Sequence, residues 1–100
     1  MRISNNNISV IKSAIQDNFS GQVETYLFGS RVDDSKRGGD IDLLIIDNLP
    51  QSDLEMAKIR ALTTIHVKLG EQKIDMVVTA NPEKDRRPVV QMALTQGVRL

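Results

Sequence analysis

Three aspartates and a Gly-Ser pair carry the chemistry that this chain could perform. Leu27-Phe28-Gly29-Ser30-Arg31 closes one apolar stretch, and, with nine residues between Ser30 and Asp40, Gly39-Asp40-Ile41-Asp42 opens another, Leu43-Leu44-Ile45-Ile46. A third aspartate, Asp75, is the only acid in the apolar run from Lys73 to Thr79. Charge at the start of a buried strand is expensive unless it is paired or holds a metal. Side chains alternate along a strand, so Asp40, Asp42, Leu44 and Ile46 share one face, and Asp75, Val77 and Thr79 share another. If the two strands are parallel neighbours that start level, the three carboxylates converge. Three clustered carboxylates cannot all stay ionised without cations. Hard oxygen donors in that number suit Mg²⁺, which is usually held by a few carboxylates and substrate phosphates. Two such ions about 3.5–4 Å apart would clamp an in-line displacement at phosphorus. The Gly-Ser turn supplies the other half: glycine lets backbone approach a phosphate, and Ser30 with nearby N–H groups can donate to its oxygens. Arg31, Lys36 or Arg37 could add positive charge. A lone Asp-x-Asp is a weak signal, since aspartate often opens turns; the ordered combination is much stronger.

The surrounding sequence must position these groups. Ile8, Ile11, Ile15 and Phe19 recur at helical spacing, with Asn5, Asn6 or Asn7 as a cap and Gly21 as a stop. Val23 to Phe28 reads as a strand, and a short helix can start near Ser30. Ile41 to Ile46 is apolar on both faces, which predicts a central strand of a covered sheet. Ser52-Asp53-Leu54-Glu55 fits a capping box. Leu54, Lys58, Ala61, Leu62, Ile65 and Leu69 then follow a helix to Gly70. Lys73 to Thr79 is a third strand, Asn81-Pro82 a break, and Pro88 to Gly97 a last helix. The long helical connection makes the second and third strands parallel neighbours. Asp47 reads as the start of a turn and His66 as a surface or half-buried helix residue. Lys84-Asp85-Arg86-Arg87 reads as a solvated helix entrance or the rim of an interface.

Thirteen basic and thirteen acidic residues balance, against the basic excess of a dedicated nucleic-acid binder. The aromatics are Phe19, Phe28 and Tyr26, too few for a base-stacking platform. The absence of cysteine excludes disulfides and thiolate metal sites. With no apolar run near the ~20 residues of a membrane span, the expectation is one cytoplasmic domain over residues 1–100.

The pattern Gly29-Ser30, spacer, Asp40-x-Asp42 and a later Asp75 resembles the nucleotidyltransferase superfamily with a polymerase-β-type palm, nearest to its minimal nucleotidyltransferases. The resemblance runs over nearly the whole chain. It implies an α/β (α+β) fold with a small mixed three-stranded sheet flanked by helices. It implies Asp40, Asp42 and Asp75 as catalytic and Mg²⁺-binding residues, with two ions expected, and Gly29, Ser30 and Arg31 as the nucleotide-binding turn. The implied reaction is transfer of AMP from ATP to a hydroxyl. The implied partner is a HEPN-type RNase toxin, neutralised within a hetero-oligomer by AMPylation of a tyrosine. The palm uses up the chain and leaves little to recognise an acceptor, which independently argues for a second protein. A non-catalytic antitoxin that works by binding, and an antibiotic-type enzyme acting on a small molecule, are the competing expectations.

Overall fold

The computed structural model describes residues 3–33, 39–70 and 72–100. Helix α1 spans Asn5–Asn18, strand β1 Glu24–Phe28, a 3-10 turn Gly29–Val32, β2 Ile41–Ile46, α2 Gln51–Leu69, β3 Ile74–Thr79, α3 Pro88–Gln96 and β4 Val98–Arg99. The sheet order is β3-β2-β1-β4, with β2 parallel to β3 and β1 antiparallel to both β2 and β4. The parallel pairing is the one expected, because α2 carries the chain back to the starting level of β2.

β2 is apolar on both faces because both faces are covered. Ile41, Leu43 and Ile45, with Ile74, Met76 and Val78, pack against Ile11 and Ile15 of α1 and Leu54, Ala61 and Ile65 of α2. Phe28 and Leu44 pack on the opposite side against Val90 and Ala93 of α3. Each fully buried Leu or Ile contributes roughly 1.5–3 kcal/mol of transfer free energy. The nine-residue α3 lies mainly over β1, so the β3 end of this second face stays open, and that is where Asp42 and Asp75 emerge.

Several boundaries differ from expectation. The sheet has a fourth strand where three were expected: Gly97 closes α3, the chain turns back, and Leu100 N–H donates to Thr25 C=O at 2.9 Å. A two-residue strand has no alternation to read. α1 is capped by Ser4, whose Oγ accepts from Asn7 N–H at 3.1 Å, rather than by Asn5, Asn6 or Asn7. It ends at Asn18 with Phe19 as its cap, before Gly21. The capping box does not form. Pro50, its φ fixed near helical values, starts α2 early: its C=O accepts from Leu54 N–H at 3.0 Å, leaving Ser52 inside the first turn.

Asp47 does more than open a turn. It is 2 % exposed and accepts from the N–H of Ser20 at 2.7 Å and from its hydroxyl, fastening the end of α1 to the end of β2.

Candidate active site

The parallel register pairs Asp42 with Asp75 directly, one on each neighbouring strand. The antiparallel register places Phe28 on the other side of Asp42, so the chain leaving β1 at Gly29 turns over the Asp42 side chain. Gly29 has φ +78°, and a Cβ there would fall on Asp42 Oδ2, well inside van der Waals contact. Only glycine combines that backbone angle with that approach. Gly39 repeats the device: at φ +92°, a Cβ would fall on Ser30 Oγ. Two glycines thus bring the 3-10 turn, Ser30 and the start of β2 together. Arg31 Nε donates to Gly39 C=O at 3.3 Å, tying the two ends of the connector. Lys36 and Arg37, the other candidate cations, lie outside the described residues, as does Asp34; Asp33 is exposed.

Asp42 is half-buried, Asp40 half-buried and Asp75 exposed. Burial pushes the Asp42 carboxyl above the usual carboxylate range. The negative charges of Asp75 and Asp40, and a hydrogen bond shared with Asp75, push it further, while Lys73 opposes the shift. This is the signature of a crowded anionic site. Asp40 sits one residue before β2, and its Oδ2 lies 3.4 Å from the ammonium of Lys73. The three aspartates therefore lie at one end of the sheet, but only Asp42 and Asp75 are brought together as a pair, with Asp40 turned toward Lys73. Among the described residues, no three His, Cys, Asp or Glu side chains are gathered around one point as a ready-made metal cage. In type and charge the donors fit Mg²⁺: oxygen ligands only, with negative charge that a cation would relieve.

A groove of about 480 Å³ opens from the carboxylate pair around β3, lined by Asp42 and Asp75 with Phe28, Lys58, Val89 and Met92 among others. Lys58, expected to lie along the apolar stripe of α2, reaches this groove. Lys73 was not singled out from the sequence; a lysine two positions before Asp75 was the available signal. His66 is exposed, with Nε2 3.1 Å from Gln72 C=O, as a surface residue of α2. Asp85, expected in a solvated entrance, is ordered: Arg87 donates to its carboxylate at 2.7 Å and also to Val78 C=O at 2.7 Å.

No family model and no curated protein matches the sequence. Among solved structures, the chain is similar to the toxin–antitoxin MntA–HpeT, crystallised as a double Asp-to-Glu mutant. The two share 21 % identity over 97 % of this chain and 71 % of that one, with a TM-score of 0.64. At that identity the likeness is one of fold. The expected class, a small mixed α/β sheet flanked by helices, is the one observed. No described helix is long and apolar enough to cross a membrane.

Proposed function

We propose that this protein is an Mg²⁺-dependent nucleotidyltransferase that moves AMP from ATP to a hydroxyl of a partner toxin, a tyrosine of a HEPN-type RNase, and so acts as its antitoxin. The observation that carries the reading is the Asp42–Asp75 pair, in register on parallel strands at the mouth of a groove, with Gly29-Ser30 folded onto it. Asp40 and Asp42, with Asp75, are the residues that would hold Mg²⁺. The ions would neutralise charge developing on the phosphates. Ser30 and the N–H groups of the turn at Gly29 bind the phosphates, and Arg31 steadies that turn. Asp75, the most open of the three, accepts the proton of the acceptor hydroxyl. The oxygen then attacks the α-phosphorus in line, the bond to the bridging oxygen breaks, and pyrophosphate leaves.

The test is label transfer from α-labelled ATP with Mg²⁺ to the co-purified partner, read by intact mass. A gain of AMP units that falls at least 100-fold in Asp42→Asn supports the reading. A stable complex with no gain from any of the four nucleoside triphosphates overturns it. A second reading, neutralisation by binding alone, is favoured by the ion pair that holds Asp40 toward Lys73. In that case the double variant Asp40→Asn, Asp42→Asn still protects cells fully.

A further inference from the structure

We infer that Lys73 is a positioning residue of the carboxylate cluster: a built-in counter-ion at Asp40 that a divalent cation must outcompete. The inference rests on the proposed cation-binding role of the three aspartates. The strand ladder puts Lys73 there. Ile41 N–H donates to Lys73 C=O at 3.1 Å, which fixes the Lys73 backbone beside the Asp40–Ile41 peptide. The ammonium then lies 3.4 Å from Asp40 Oδ2, with the two side chains 75 % and 36 % exposed. Lys73 also offsets part of the negative field on Asp42. The pair is thus placed by backbone hydrogen bonding and held by a contact weak enough to yield, as exposed ion pairs are.

The arrangement has a chemical purpose. Three carboxylates with no counter-charge repel one another and loosen the ends of β2 and β3. A tethered ammonium offsets one of those charges. It also draws Asp40 aside from the Asp42–Asp75 pair. A divalent ion carries twice the charge and brings free coordination sites, so it can recruit Asp40 once Lys73 swings into solvent on its flexible stem. Lys73 would therefore weaken cation binding to the protein alone. It would favour loading by a cation that arrives with the phosphates of a nucleotide, whose negative charge gives the released ammonium a new partner.

The test is binding of Mn²⁺ alone to the purified full-length protein at low ionic strength, read from loss of the free aqua-ion signal in electron paramagnetic resonance. Lys73→Gln is expected to bind Mn²⁺ about two- to five-fold more tightly than wild type, with the difference shrinking as salt is raised. Lys12→Gln removes the same charge from α1, away from the site, and is expected to bind as wild type does. Equal or weaker binding by Lys73→Gln overturns the inference. If Asp42→Asn abolishes binding in that case, the cation site stands and only the role of Lys73 falls. If Asp42→Asn binds Mn²⁺ as wild type does, or if no variant binds at all, the cation-site reading falls as well.

Discussion

One methyl group at position 29 would collide with the carboxylate on which the proposed chemistry depends. Gly29→Ala forces both the positive φ and the contact with Asp42. It is expected to destabilise the protein by about 1–3 kcal/mol in urea unfolding and to lower AMP transfer by at least tenfold at a temperature where the variant is folded. Asp42→Asn should act in the opposite direction on stability. It removes the most crowded charge of the cluster and is expected to raise the unfolding free energy by about 1 kcal/mol while ending transfer. Asp85 is the reverse case. The hydrogen bond from Arg87 is the first cause holding its carboxyl well below the ordinary value of 3.8. A lowered acid stabilises the fold above its unfolded pKa, and that contribution is lost as pH falls through the folded value. The wild type should therefore lose stability below about pH 4. Asp85→Asn should be less stable at pH 7 and show a flatter acid limb. Urea midpoints from pH 7 to pH 2 check both. The three aspartates and Gly29-Ser30 were legible in the sequence because their types and order are unusual among apolar strands. Lys73 was not, because a lysine at a strand end resembles any other solvated charge until the partner strand is in place.

Strand β2 carries an acid at each end, and the two are treated differently. Asp42, at its start, is surrounded by like charge; Asp47, at its close, accepts both the N–H and the hydroxyl of Ser20. The first belongs to the proposed chemistry, and the second ties the fold together. Asp47→Ala should leave the half-buried Ser20 groups without their acceptor and cost about 1–3 kcal/mol. AMP transfer at low temperature should be unchanged, because the site lies at the other end of the strand. Urea unfolding with a transfer assay on the same sample separates the two effects. The first two helices were legible from a period of about 3.6, the last from Pro88 and Gly97 at its ends, and the three longer strands as short apolar or β-branched runs bounded by turn residues. The starts of the first two helices were not. Ser4 and Pro50 took over the caps, and the Ser20–Asp47 contact spans 27 residues, a separation that no local pattern reveals.

At the scale of the whole molecule, the parallel neighbours β2 and β3 followed from the length of α2. The outer place of β4 beside β1 did not, because two residues give no signal and their position is fixed only once α3 has closed over Phe28 and Leu44. The Asp42–Asp75 register has a consequence for how this sheet is assembled. Shift β3 by one residue against β2, keeping its pairing, and Asp75 turns from the open face to the layer packed by Ile11, Ile15 and Ile65. An ionised carboxylate in that layer costs several kcal/mol, so the misaligned sheet is rejected during folding. That safeguard needs the charge. Refolding of Asp75→Asn from urea at pH 7 is expected to show an additional slow phase that is absent from the wild type. Stopped-flow refolding of the two proteins side by side would check it, and identical single-phase kinetics would sink the idea. The residues proposed to transfer a nucleotide would then also act as alignment marks that keep the chain from folding out of step.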